Sequence, residues 1–312
     1  MNKAAFAALI KQNRAVLLDG GLATEIEARG YDIAGALWSA MLLRDDPRAI
    51  VAAHRAYLDA GAEVVISASY QASRAGFHQL GIGADDADAL IASSVSLARQ
   101  ACDEFMADEP EHDKRPLVAA SIGPYGAVLM DGSEYTGAYG VSDRVLHDFH
   151  AQRLALLDSS GADVLACETI PSLQEAGVLA ELLTEARTPA WISFTCRDDN
   201  ALSDGTPVAA VASIFKDHPN VLAIGINCTP PQFATALIEY IATAAPDKAI
   251  VVYPNSGEHY VASDNSWTGS ATSGKFAVAE WLAAGATLIG GCCRVGPDQI
   301  AAMATSIAKA TP

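Results

Sequence analysis

Short apolar runs recur along this chain, each closed by small or polar residues and separated from the next by a stretch with helical spacing. Residues 15–18 form the first run and end at Asp19-Gly20-Gly21, with Thr24-Glu25 just beyond. Further runs at 64–66, 117–120, 164–167, 190–194, 221–228, 250–253 and 287–289 read as strands. Between them, residues 44–59 carry Asp45-Asp46-Pro47 at their start and apolar positions at Ile50, Val51 and Leu58, the signature of a capped amphipathic helix. Residues 85–106, with Leu90, Ile91, Val95 and Leu97 on one side, read the same way. So do 142–157, capped by Ser142, together with 172–186, 231–243 and 274–283. Ser203-Asp204-Gly205-Thr206-Pro207 is turn chemistry opening a helix to Phe215. The pattern predicts eight strands, each followed by a helix.

An internal echo supports that reading. Asp59-Ala60-Gly61-Ala62, Ser160-Gly161-Ala162 and Ala284-Gly285-Ala286 each end a helix on glycine and open an apolar strand. Alternation of strand and helix without a break in composition indicates a single parallel-sheet domain over residues 1–312. No Gly-x-Gly-x-x-Gly loop follows the first strand, which favours a closed (β/α)8 TIM barrel over an open dinucleotide-binding sheet.

Composition narrows the functions open to such a barrel. Apolar residues make up 51% of the chain and charged ones 18%, enough to fill a large core. A net charge of −17 argues against nucleic acid or an anionic membrane as partner. Residues 1–13 read as a short helix and not as a signal peptide, and no uncharged run reaches membrane-spanning length. Six cysteines in 312 residues do not resemble a secreted disulfide scaffold, so a reducing cytoplasm is expected.

Three of those cysteines fall at strand ends. Cys228 closes the run 221–228, while Cys292 and Cys293 follow Gly290-Gly291 after the last run. In a barrel these ends share one rim, where catalytic groups gather. Consecutive residues of a regular strand face opposite ways, so Cys292 and Cys293 converge only if the backbone turns, which the two glycines permit. Three convergent thiols without a histidine pair point to a soft metal, zinc, with its fourth position open. Two other readings remain: a redox protein with a vicinal Cys292–Cys293 disulfide, and a phosphate-binding barrel using Gly290-Gly291 and Arg294. Cys102, Cys167 and Cys196 read as structural.

The same rim collects Asp19, residues 67–70, Ser121, Glu168, Thr195, Asn227, Asn255 and the cysteines. Asp19 and Glu168 offer two carboxylates to an ammonium group, and Gly20-Gly21 offer flexible backbone whose N–H groups can turn to a small anion. Together they suit an α-amino acid. None of Lys3, Lys11, Lys114, Lys216, Lys248, Lys275 and Lys309 lies in a predicted strand, which removes a core Schiff-base lysine. His54, His147 and His150 fall in helices and read as surface or packing residues; His259 falls in a rim loop. Trp38, Tyr70, Tyr125 and Trp267 are aromatic residues available to wall a pocket.

Asp19-Gly20-Gly21-Leu22-Ala23-Thr24-Glu25, Gly225-Ile226-Asn227-Cys228 and Gly290-Gly291-Cys292-Cys293-Arg294 resemble the zinc-dependent homocysteine S-methyltransferases. Gly123-Pro124-Tyr125-Gly126, Cys167-Glu168-Thr169, Leu37-Trp38-Ser39-Ala40 and the segment from Tyr253 to His259 are similar to its S-methylmethionine branch. The resemblance spans nearly the whole chain. It implies one zinc ion on Cys228, Cys292 and Cys293, a homocysteine amine held by Asp19 and Glu168, and Asn227 beside the site. The implied reaction is methyl transfer from a sulfonium donor, S-methylmethionine or S-adenosylmethionine, to homocysteine, giving methionine.

Overall fold

The structure, a computed structural model, describes residues 3–12, 15–32, 41–129, 131–261, 266–269 and 276–310. Seven barrel strands run in chain order: β1 (Val16–Leu17), β2 (Val64–Ile66), β3 (Leu117–Ile122), β4 (Val164–Ile170), β5 (Ala190–Phe194), β6 (Val221–Asn227) and β7 (Ala249–Tyr253). An eighth, Ala286–Ile289, closes the sheet between β7 and β1. All neighbours pair in parallel. The ring shuts where Leu18 bridges Val64, Asp19 N–H donates to Val64 O at 3.0 Å and Glu63 N–H donates to Leu17 O at 2.8 Å. The expected eight-stranded barrel is the observed one.

The helices form where the sequence places caps and apolar stripes, with some adjustments. Pro47 splits the expected helix 44–59 into Leu42–Asp45 and Pro47–Asp59, and Asp46 caps the second by accepting from Ala49 N–H at 3.3 Å. Ser172 caps Leu173–Thr184 through Glu175 N–H at 3.2 Å. Pro231 starts a 3-10 turn, Pro231–Phe233, before the helix Ala234–Ala244. Gly61, Gly161 and Gly285 have φ of 101°, 85° and 112°, the left-handed conformation that ends a helix most cheaply on glycine. Residues 33–40, with Trp38, and residues 274–275 of the expected last helix lie outside the described residues. His259 and Trp267 belong to an antiparallel hairpin, His259–Val261 with Ser266–Thr268, whose side chains other than Thr268 are likewise outside.

Strand alternation sorts the core into two parts. Val65, Val118, Leu165, Ile192, Ile224 and Val252 point outward and pack on the helices. Val16, Leu18, Val64, Leu117, Ala119, Val164, Ala166, Trp191, Ala223, Val251, Tyr253 and Leu288 point inward and fill the barrel. Phe6, from the helix Lys3–Ile10, joins this inner cluster with its ring 6.0 Å from that of Trp191, so the chain's first helix plugs the bottom of the barrel. Gly225 is forced by packing, because a Cβ there would lie 1.6 Å from Val251 O.

Candidate active site

Counting by twos up the inward positions turns the apolar filling into chemistry. After Ala119 comes Ser121, after Ala166 Glu168, after Trp191 Ser193, and after Gly225 Asn227. These four are buried, and Ser121, Glu168 and Asn227 line a cavity of about 120 Å³ at the C-terminal rim. Gly20, Gly21, Tyr70, Glu134, Tyr135, Thr169, Tyr253 and the three cysteines complete most of its wall.

Glu168 sits inside β4, where the pairing with β5 shifts register between Cys167 and Ile170. Thr169 takes φ of 62° at this bulge, a conformation costly for a β-branched residue and held here by Asn227. Asn227 Oδ1 accepts from Thr169 N–H at 2.7 Å and from Ser193 Oγ at 2.8 Å, while Asn227 Nδ2 donates to Thr169 Oγ1 at 2.7 Å. Glu168 receives hydrogen bonds from Ser121 Oγ and, at 3.0 Å, from Tyr253 Oη. Trp191 Nε1 in turn donates to Tyr253 Oη at 3.1 Å. Burial pushes the Glu168 carboxyl up to about 7, against the lowering influence of the Ser121 and Tyr253 hydrogen bonds.

Asp19 is the second carboxylate. Its Oδ2 accepts from Ile66 N–H at 2.8 Å, and its Oδ1 is buried without a hydrogen-bond partner among the described residues. Burial, with Glu168 nearby as a further contributor, holds its carboxyl well above the usual range. An unpartnered oxygen on a buried acid is costly unless a cation arrives to meet it. Both glycines after Asp19 are required by close approach. A Cβ on Gly20 would lie 2.3 Å from Val295 O, and one on Gly21 would lie 2.7 Å from Cys292 O. Gly21 N–H donates to Val295 O at 2.9 Å, so it is not free to face an anion.

The three rim cysteines converge, with sulfurs all within 4.8 Å of one another. Cys228 follows β6 with φ of 45°, an uncommon left-handed conformation for a non-glycine residue. Cys228 and Cys292 are joined by a disulfide, and Cys293 Sγ lies 3.6 Å from Cys228 Sγ and 3.9 Å from Cys292 Sγ. The vicinal Cys292–Cys293 bridge of the rival redox reading is therefore not the one formed; the bond crosses from the end of β6 to the end of the closing strand. The turn that brings Cys292 and Cys293 together also differs from expectation. Gly290 and Gly291 have no left-handed φ, and the residue that has one is Arg294, at 65°. The glycines are needed for space instead: a Cβ on Gly290 would meet Leu18 Cβ at 2.6 Å, and one on Gly291 would meet Val295 at 2.2 Å.

Arg294 does not face an anion site. Its Nε donates to Glu258 Oε2 at 3.1 Å and its backbone N–H donates to Thr24 Oγ1 at 2.9 Å. That removes the cation on which the phosphate-binding reading relied. Cys102, Cys167 and Cys196 are buried away from the trio. His54 is buried and held neutral, its proton affinity lowered to about 4 by desolvation. His150 is buried against Glu175 at 2.7 Å, while His147 is exposed. Tyr70 reaches the cavity, but Tyr125 packs edge-on against Tyr139 and Phe149 outside it.

Two contributors escaped the sequence reading. Glu134 lies between the run 117–120 and the helix 142–157, in a stretch to which the sequence reading assigns no site residue, and Tyr253 ends the run 250–253 without an assigned role. The structure shows that Tyr253 shares the inward parity of Val251, which the unbroken apolar run 250–253 hides, and Glu134 carries no signal beyond being an acid in a loop rich in glycine and tyrosine.

A barrel with converging thiols and buried carboxylates at the C-terminal rim of its strands is the architecture of a thiol-site barrel enzyme. The chain belongs to the homocysteine S-methyltransferase family, whose sequence pattern matches residues 16–307. It is 46% identical over 300 residues to homocysteine S-methyltransferase YbgG of Bacillus subtilis, covering 94% of this chain and 95% of that one. The structure is similar to the homocysteine methyltransferase MmuM from Escherichia coli in its oxidised form, with a TM-score of 0.87, 45% identity, and coverage of 96% and 99% of the two chains. The metallated form of MmuM gives a TM-score of 0.86 at 44% identity, covering 96% and 98%. The fold, the methyltransferase class and the family drawn from the sequence all stand. No helix among the described residues is long and apolar enough to cross a membrane.

Proposed function

We propose that this homocysteine S-methyltransferase takes its methyl group from a sulfonium, S-methylmethionine in preference to S-adenosylmethionine, and works with one zinc ion on Cys228, Cys292 and Cys293. The observation that carries the reading is one small cavity bordered by three convergent cysteine sulfurs and the buried Glu168 carboxylate, with Asp19 buried beside its wall next to Gly20. Zinc–sulfur bonds of about 2.3 Å set tetrahedral sulfur–sulfur edges near 3.8 Å. The 3.6 Å and 3.9 Å separations from Cys293 already match that edge, so reducing the Cys228–Cys292 bond leaves a donor set of the right size and softness. The metallated form of the Escherichia coli relative supports a metal in this family. When bound, zinc supplies the Lewis acidity that keeps an incoming thiol deprotonated at neutral pH.

The chain's own residues do the rest. Asp19 Oδ1 and the ionised Glu168 hold the ammonium of homocysteine, which gives both buried acids the counter-charge they lack. Gly20 and Gly21 let the Asp19 loop pack directly on Val295 and Cys292, which sets this wall of the cavity beside the cysteines. Asn227 is a positioning residue: its amide fixes the Thr169 bulge that aims Glu168, and its Nδ2 lies 3.9 Å from Cys292 Sγ. Transfer is balanced simply. The thiol proton leaves to water, the thiolate pair forms the new S–C bond, and the donor's S–C pair stays on its sulfur as a neutral thioether. Holding the two sulfurs in line about the methyl supplies much of the acceleration.

The test is to give the reduced, zinc-loaded protein homocysteine with each donor in turn and follow methionine. S-methylmethionine should serve best, S-adenosylmethionine less well and betaine hardly at all. Betaine as the best donor, or no turnover with any sulfonium, would overturn the donor assignment.

A further inference from the structure

Glu134 lines this cavity as a buried carboxylate alongside Glu168, and nothing so far uses it. It is only 4% exposed, and its Oε2 has no hydrogen-bond partner among the described residues. It lines the cavity together with Cys228, Cys292 and Cys293. The described lining contains no lysine or arginine. Arg153, the buried cation behind the wall, is spent on the backbone carbonyls of Gly123, Ser69 and Tyr70. Among the described lining residues, none offers Glu134 a positive charge, which leaves its unpartnered oxygen open to a cationic ligand.

Its position is built, not incidental. Gly132, with φ of 79°, turns the chain into the 3-10 segment Ser133–Tyr135. That segment lies so close on the helix Tyr125–Leu129 that a Cβ on Gly126 would fall 2.4 Å from Glu134 N. Downstream, Tyr139 Oη donates to Glu175 Oε2 at 2.9 Å, and Tyr125 N–H donates to Glu175 Oε1 at 2.6 Å, which ties both ends of the loop to one buried acid. The neighbouring Tyr135 hydrogen-bonds Cys293, which fixes this wall against the thiol cluster. Tyr70 borders the same cavity and adds an aromatic ring.

We infer that Glu134, flanked by Tyr70 and Tyr135, is the specificity-determining contact for the positive sulfur of the methyl donor. This rests on the sulfonium reading above. The homocysteine ammonium already has Asp19 and Glu168, and the methyl must pass beside the cysteines, which is where Glu134 stands. A sulfonium loses its charge as the methyl leaves, so a carboxylate beside it favours the bound donor over the transition state. Removing that carboxylate should weaken donor binding without slowing the chemical step. The neutral thioether product gains nothing from Glu134 and is released.

The experiment is steady-state kinetics on reduced, zinc-loaded wild type, Glu134→Gln and Glu134→Asp, with binding of S-methylmethionine and of methionine measured by calorimetry. The two ligands share the same ammonium and carboxylate and differ by the charged methyl. Glu134→Gln should raise KM for S-methylmethionine about tenfold or more, as expected for loss of a charge-assisted contact, with kcat unchanged or raised and the KM for homocysteine within about twofold. Its affinity for S-methylmethionine should fall while that for methionine holds. Glu134→Asp, keeping the charge, should restore part of the loss, and zinc content should match wild type in both. Equal weakening toward both ligands would move Glu134 to the ammonium and overturn the inference. So would an unchanged KM, or a fall in kcat alone. Wild type that accepts no sulfonium would instead defeat the donor reading itself, a result separate from any effect of Glu134.

Discussion

The bottom and the top of this barrel are written in one register and differ only in which residues occupy it. At the bottom, inward positions hold Leu117, Val164, Trp191 and Ala223, sealed by Phe6 from the first helix. Two or four residues further up the same strands the inward positions are Ser121, Glu168, Ser193 and Asn227. Both ends are buried, so exposure does not separate them; satisfaction of polar groups does. The bottom needs no partners and gains by excluding water. The top keeps Asp19 Oδ1 and Glu134 Oε2 buried without partners, groups that cost stability until a ligand meets them. The lower half of each strand therefore holds the fold, and the upper half carries a deficit that binding relieves.

The largest break in that comparison should come from the cysteines. Cys228→Ser, Cys292→Ser and Cys293→Ser should each lose stoichiometric zinc and abolish turnover, while circular dichroism shows the barrel intact. A variant that kept full zinc and activity would remove that cysteine from the donor set. The contrasting change lies at the bottom. Phe6→Ala should cost roughly 3–5 kcal/mol of stability in denaturant melts, the usual penalty for emptying a buried aromatic site. The folded fraction should still bind zinc and homocysteine as wild type does. A loss of homocysteine affinity there would mean that the two halves are not separable.

Next comes the acid pair. Glu168→Gln and Asp19→Asn should each weaken homocysteine binding by roughly 1.5–3 kcal/mol and leave zinc content unchanged. Glu168 also sets a pH signature. Its carboxyl is raised from 4.5 to about 7 in the folded chain, so the folded state binds the proton more tightly than the unfolded one. The associated stability is complete below about pH 4.5 and is lost as pH rises through 7, on the order of 3 kcal/mol. Ligand-free wild type should therefore lose this increment between about pH 4.5 and 7, and Glu168→Gln should not. Equal slopes in the two proteins would show that Glu168 is ionised throughout.

How much of this was legible before the structure depends on the physics behind each feature. Gly61, Gly161 and Gly285 were readable because a helix that ends in the left-handed region strongly favours glycine, so sequence and conformation are locked together. Asp19, Glu168 and the cysteines were readable because a polar residue at the end of an apolar run stands out. The facing of Tyr253 was not, since strands buried on both sides read as continuous apolar runs and hide their alternation. The partner of Cys292 was hidden for a different reason: the bond to Cys228 spans 64 positions, and only the closed ring brings those strand ends together. Cys228, Thr169 and Arg294 adopt left-handed φ without being glycine, which no local rule signals. Glu134 depends on a loop folded back over the helix Tyr125–Leu129, a tertiary fact with no local trace.

The smallest expected effect sits on the seam between the two halves. Trp191 belongs to the apolar bottom by its ring, yet its Nε1 donates to Tyr253 Oη, and that hydroxyl donates to Glu168. Trp191→Phe keeps an aromatic ring in the core and deletes the donor. Losing one neutral hydrogen bond should cost about 0.5–1.5 kcal/mol, plus whatever the smaller ring gives up in packing. The hydrogen bond from Trp191 polarises the phenol and makes it a better donor to the carboxylate. Without it the ionised form of Glu168 is less well supported, so its titration should move further up, in the direction burial already pushes it. A loss of packing alone would admit water and move it down. The pH-dependence of ligand-free stability in Trp191→Phe, compared with wild type, separates these outcomes. A shift to higher pH would tie the bottom of the barrel to the chemistry at its top, and a shift to lower pH would show that Trp191 serves only the core.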